Sequence, residues 1–226
     1  MNFKWGQTMK KLEVSLVRTE VYDLLKKMIL NKELKLGEKL NVRILSDELG
    51  ISFTPVRDAL LQLSSEGLVK VVPRVGFFVV DVDEKFVREI TEARIMIEVF
   101  CLNTFFDKIR NNKEFLELED KMLIIKKEKD RRVFNITDKK LHMLIVNSST
   151  NDLIISNYKK IWDRIDLIRH LNERFEKSND EHLKIVENIK QGVKDKAIEI
   201  LKEHILNVEK ETLKSLHFFE EDNNDN

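Results

Sequence analysis

The chain has 226 residues, of which 42% are hydrophobic and 35% charged, and its 40 Lys and Arg balance 40 Asp and Glu. That is long enough for two modest domains and apolar enough for real cores, which excludes an extended, fully solvated chain. No apolar run approaches the ~20 residues of a membrane span, no apolar signal segment opens the chain, and the single cysteine, Cys101, allows no internal disulfide, so the expectation is a cytoplasmic protein that does not enter a membrane.

Residues 1–11 read as a flexible extension, and Met9 offers a second plausible start that would make residues 1–8 an upstream addition. Leu16 to Asn31 predicts an amphipathic helix with Val17, Val21, Leu24, Leu25, Met28 and Ile29 facing inward. Leu34 to Leu40 reads as a turn and a short strand. Leu45 and Leu49 then mark a short helix, which Gly50 ends because a helix C-terminus favours a residue tolerant of positive φ. Ser52 or Thr54 caps the next helix and Pro55 suits its first turn. Val56, Leu60 and Leu63 give that helix a buried face, opposite Thr54, Arg57, Asp58 and Gln62. Gly67 ends it. Val69 and Val71, then Phe77 and Val79, repeat with period two around Pro73-Arg74-Val75-Gly76, which is the pattern of a β-ribbon. The order is that of a winged helix-turn-helix, whose exposed helix fits a DNA major groove.

Beyond residue 81 the composition changes. Both prolines and five of the six glycines lie before residue 80, and the last 146 residues keep only Gly192. So long a stretch without breakers, rich in Leu, Ile, Glu and Lys, predicts helices throughout. They are expected at 83–110, 112–130, 134–148, 151–172, 178–191 and 194–217, with Asp83 capping the first and a disordered tail over 218–226. The charge divides at the same place. Residues 1–80 carry 13 Lys and Arg against 9 Asp and Glu, and the remainder 27 against 31. A mildly basic part joined to an acidic one fits a nucleic-acid reader beside a domain that does not touch DNA. The expected fold is therefore mainly α, with a winged helix-turn-helix over 12–81 and an all-α antiparallel bundle over 82–217.

The run LGISFTPVRDALLQLSSEGLV (49–69) followed by PRVGFFV (73–79) resembles the DNA-binding domain of the GntR family of bacterial transcription regulators. Two positions depart from the family pattern. Phe53 stands where the family commonly has arginine, and Asp58 replaces a usual glutamate. By motif position Arg43, Thr54, Arg57, Arg74 and Gly76 match the family's DNA contacts, and Ser52 at the helix start joins them. EARIMIE (92–98) resembles the opening helix of the FCD effector domain, the helical ligand-binding module of one, FadR-like, subfamily. The resemblance covers about residues 12–216 and implies a homodimer on a pseudo-palindromic double-stranded operator, most often as a repressor.

Asp138, His142, His182 and His204 fall in the order that the subfamily uses for a metal site. Asp138 and His142 are four apart on a predicted helix and so share a face. Three imidazoles and a carboxylate suit a divalent Zn, Ni, Fe or Mn ion, and the sequence does not choose among them. Any one histidine in a helical protein is more often an ordinary surface or core residue, which is how His170 and His217 read, although His170 could also border the cavity. The four together carry the metal reading. Arg94 precedes Glu98 by four, the spacing of a common surface ion pair; the resemblance implies instead that Arg94 points into the cavity and meets a small organic acid, with Asn151 as a weaker second contact. Trp162, Phe100, Phe105 and Phe106 read as core or dimer interface, and Cys101 as a small buried hydrophobe. The rival readings are a metal-dependent enzyme, for which no general base stands out, a sensor of the ion itself, and a purely structural ion.

Overall fold

The computed structural model describes the backbone of residues 5–169, 171 and 173–224, and the side chains of 16–169, 171 and 173–216. The side chains of His170 and His217, and the end of the expected tail, lie outside the described residues. The chain divides into two compact units, Met1–Val82 and Asp83–Asn226.

The first unit begins with α1 (Trp5–Leu30), so helix covers most of the stretch expected to be a flexible extension. Lys10, Lys11, Leu12 and Glu13 are good helix formers, and nothing after Gly6 interrupts them. Then come β1 (Lys39–Leu40), α2 (Val42–Leu49), α3 (Phe53–Ser65), β2 (Val69–Val72) and β3 (Gly76–Val79). The three strands form an antiparallel sheet in the order β1-β3-β2, with Lys39 opposite Phe78 and Val72 opposite Gly76. Asn41 caps α2, its side chain accepting from the backbone N–H groups of Arg43 and Ile44. Gly50 ends α2 at φ 64°, the left-handed conformation expected of it. Ser52 takes the cap position of α3 with an extended backbone, but its side chain makes no capping hydrogen bond. Val56, Leu60 and Leu63 are fully buried, as their spacing predicts, and pack with Val21, Leu25 and Ile29 in the core. Leu24 does not join them and is 41% exposed. Positions 21, 25 and 29 form a single four-residue ridge, and Leu24 lies off it. In the wing, Val75 N–H donates to the Val72 carbonyl across a turn that holds Arg74 at φ 64°.

The second unit is helical. The expected helix 83–110 is divided into α4 (Glu84–Arg94), a π-helical turn (Ile95–Val99), α5 (Phe100–Thr104) and α6 (Phe106–Arg110). Helix 112–130 is divided into α7 (Lys113–Leu116) and α8 (Leu118–Glu128). α9 (Arg131–Asn147) starts three residues before its expected position because Asp130 caps it, accepting from the N–H groups of Arg132 and Val133. α10 (Asp152–Arg169), α11 (Phe175–Gln191) and α12 (Lys194–Asn224) follow. α12 runs past 217, so most of the expected tail is helix. Asp83 caps α4 as expected, through a 2.7 Å bond from Phe86 N–H. α11 packs along α12 and α8, while α4 packs on α10 and α12. These contacts turn the inner faces of α4, α9, α11 and α12 toward one buried polar cluster.

Candidate metal centre and nucleic-acid interface

Three elements build the buried cluster. α9 contributes Asp138 and His142, one turn apart; α11 contributes His182; α12 contributes His204. All four residues are buried, and one ligand atom from each lies within 4.8 Å of the others. Asp138 Oδ1 is 3.6 Å from His142 Nε2 and 3.5 Å from His182 Nε2. His182 Nε2 and His204 Nε2 are 3.2 Å apart. Ligand atoms that share one ion at ~2.1 Å stand about 3–3.4 Å from one another, so these separations suit a common ion.

Outer carboxylates orient two of the rings. His142 Nδ1 is 2.6 Å from Glu98 Oε2, and His204 Nδ1 is 2.7 Å from Glu181 Oε2. A ring that donates its Nδ1–H to a carboxylate turns Nε2 inward, the arrangement found around metal-bound histidines. Glu98 is fully buried and holds three partners. Besides His142 it accepts from Arg94 Nε at 2.8 Å and from the Tyr158 hydroxyl at 2.6 Å. Glu181 is gripped by both terminal nitrogens of Arg174, at 2.7 and 3.0 Å, and by Asn207. Trp162 packs beside His142 with ring centroids 5.7 Å apart, and is core as expected.

Burial and neighbours set the charges. Burial, followed by the neighbouring His204, holds His182 well below the usual histidine range. Burial pushes His204 down to about 4, against the opposing pull of Glu181. Both rings are therefore neutral near pH 7, the form that donates a lone pair to a metal. Two inward lone pairs 3.2 Å apart repel unless a proton or a cation lies between them. His142 differs. Burial would lower it, but the Glu98 and Asp138 carboxylates together raise it. Burial would raise Asp138, yet Arg169 and the two nearest histidines hold it well below the carboxylate range. Asp138 Oδ2 is buried without a hydrogen-bond partner, Arg169 Nη1 standing 3.5 Å away. A neutral histidine pair, an ionised carboxylate and an unsatisfied oxygen are what a divalent ion needs.

Arg94 is 4% exposed and its partner Glu98 fully buried, so their pair is a buried one and not the surface device its spacing allowed. Arg94 Nη2 also comes within 3.3 Å of His142 Nε2. A cavity of about 30 Å³, lined by Arg94, Arg131, Asp138, Arg169, Ser178 and His204, adjoins the cluster. That is the share of roughly one water molecule. Asn151 is absent from its lining. It is exposed, and its side chain caps α10 by accepting from Leu153 and Ile154. Polar residues in a turn suit caps as well as ligands, and here the cap explains the residue. Glu98, Tyr158, Glu181 and Arg174 complete the site, and no sequence motif marks them as part of it. The only signals were the Arg94–Glu98 spacing and the Glu181-His182 pair.

The first unit carries its functional groups outside. Ser52, Thr54 and Arg57 at the start of α3 are exposed, as are Arg43 on α2 and Arg74 at the wing tip, while Gly76 is half-buried at φ 135°. Among the described residues no ion pair engages Arg43, Arg57 or Arg74, so three cations face water on one small domain. A winged helix-turn-helix with exposed arginines on its two helices and its wing, joined to a helical domain with a buried polar centre, has the build of a DNA-binding regulator.

The comparisons place the chain more closely. Residues 17–79 match the bacterial regulatory proteins of the gntR family, and residues 89–207 match the FCD domain. The chain is 32% identical over 199 residues to the uncharacterized HTH-type transcriptional regulator YdhC of Bacillus subtilis, covering 83% of this chain and 85% of that one. It is 26% identical over 200 residues to the gluconate operon transcriptional repressor of Bacillus licheniformis, over 82% and 80% of the two chains. The metal-free and Zn²⁺-bound FCD domains of TM0439 are each 52% identical, with TM-scores of 0.60 and 0.58; each match spans 61% of this chain and 98% of that domain. The protein belongs to the gntR family of transcription regulators, in the branch that carries an FCD domain. No helix among the described residues is long and apolar enough to cross a membrane.

Proposed function

We propose that this regulator holds a divalent transition-metal ion through Asp138, His142, His182 and His204, and that the loaded helical domain controls operator binding by a homodimer in the cytoplasm. The observation that carries the reading is the convergence of those four buried ligand atoms within 4.8 Å. The Zn²⁺-bound FCD domain of TM0439 favours zinc over nickel, iron or manganese. When bound, the ion supplies a positive charge and open coordination positions for water or a carboxylate.

The chain's own residues do the rest. Glu98 and Glu181 fix the His142 and His204 rings. Arg94, Arg131 and Arg169 line the cavity beside them and favour an anion. A small organic acid is therefore the effector, and the small cavity restricts its size unless the helices part. An acid that binds better to one arrangement of the dimer shifts its population and so its operator affinity. In the first unit, Arg43, Ser52, Thr54, Arg57, Arg74 and Gly76 form the DNA face, with recognition helix α3 of each protomer in successive major grooves of a pseudo-palindromic site. The named gluconate repressor favours repression over activation.

The test is operator affinity of the full chain, measured metal-free, metal-loaded, and metal-loaded with a panel of small carboxylic acids. The account expects one acid to change the affinity of the loaded protein alone. A change with metal and no further change with any bound acid would make the ion itself the signal.

A further inference from the structure

Phe53 is the first residue of α3 and is 52% exposed. Core packing does not explain it, because the buried face of α3 is made by Val56, Ala59, Leu60 and Leu63. Phe53 and Arg57 are four apart, so they share the exposed face of the helix. Its immediate neighbours Ser52 and Thr54 are exposed as well. In a helix-turn-helix, the N-terminal residues of the second helix meet the base edges in the major groove. Four base pairs present donors and acceptors there, which a phenyl ring cannot satisfy. One apolar feature is available to it, the C5-methyl group of thymine.

We propose that Phe53 is a specificity-determining residue that packs against a thymine methyl group in each operator half-site. Exposed in the free protein, the ring loses water on both partners when it meets the methyl, and that gain is present only where the base carries the group. Arg57, one turn further along, supplies the polar contact on the same face. A cytosine or guanine at the position leaves the ring against polar base edges and is rejected. The preference is for a methyl group at C5, so 5-methylcytosine would also be accepted where unmethylated cytosine is not.

The experiment selects binding sites from randomised duplexes with the full-length protein, then replaces each thymine of the selected site by deoxyuridine, which removes only the methyl. One thymine per half-site is expected to be sensitive, with affinity falling about fourfold for each replacement, the effect of one buried methyl group. Phe53→Ala should bind the thymine and uracil duplexes equally, and Phe53→Leu should keep part of the discrimination. Phe53 is half in water, so both variants should keep a single cooperative melt, and the thymine–uracil comparison is made within each protein. Uracil substitution that costs the parent and Phe53→Ala equally, or costs neither, would overturn the proposal while leaving sequence-specific binding intact. Failure to enrich any site would overturn it together with sequence-specific recognition.

Discussion

The two units handle charge in opposite ways. In the winged unit, Arg43, Arg57 and Arg74 stand in water with no ion pair among the described residues. In the helical unit, Arg94, Glu98, Asp138 and three histidines are withdrawn from water, and each depends on its neighbours. An exposed cation keeps its hydration until a phosphate or base replaces it, so its removal should cost binding and leave the fold alone. A buried charge is stable only while its partners remain, so its removal should cost the fold first.

The largest expected effect comes from breaking the buried network. Glu98→Ala leaves Arg94 buried without its carboxylate, frees the Tyr158 hydroxyl and releases His142. Loss of one member of a buried pair costs about 3–5 kcal/mol. The melting temperature should fall steeply, and a melt within a degree or two of the parent would show that Glu98 is not structurally required. The acid limb of stability comes next. His204 is depressed to about 4 from 6.5. Its unfolded form takes up a proton before its folded form does. Metal-free protein should therefore be most stable above pH 6.5 as far as this group is concerned, and lose on the order of 3 kcal/mol as pH falls through 4. His142 works in the opposite sense, because its raised value favours the folded state below 6.5 and the benefit fades as pH rises. A urea midpoint of metal-free protein that stays flat from pH 7 to 4 would contradict the depressed histidine.

Arg57→Ala sharpens the contrast with a smaller effect. Operator binding should weaken by ~1–3 kcal/mol, with relaxed preference at one position if Arg57 reads a base, or evenly across sequences if it holds phosphate. The melting temperature should not move. A destabilised variant would mean that Arg57 has a structural role which its exposure does not reveal.

The same contrast explains which parts of the molecule are legible in its sequence. The DNA unit is local: Gly50 at its turn, the Val56–Leu60–Leu63 ridge and the period-two wing all lie between positions 50 and 79, and each specifies its own conformation. The site in the helical unit is long-range. The four residues that converge there, Asp138, His142, His182 and His204, stand out in the sequence as a set only through family resemblance, and the helical spacing of Asp138 and His142 accounts for part of it. No local pattern joins Glu98 to Tyr158, sixty residues away, or Arg174 and Glu181 to His204. The π-helical turn at 95–99 was equally hidden, since residues 84–110 contain no glycine or proline to mark a change in helical register. Asn151 shows the ambiguity from the other side. Its side chain is used by the two N–H groups that open α10, and a polar residue in a turn looks the same in sequence whether it caps or binds.

Titrating the metal-free full-length protein with Zn²⁺ at pH 6, in buffers of different ionisation heat, bears most directly on the metal centre. The account predicts one ion per chain, with release of about one proton, from His142, because His182 and His204 are already neutral there. It also predicts that tight binding is lost in the double variant His182→Ala, His204→Ala. Unchanged stoichiometry in that variant, or no ion taken up by the parent, would contradict it.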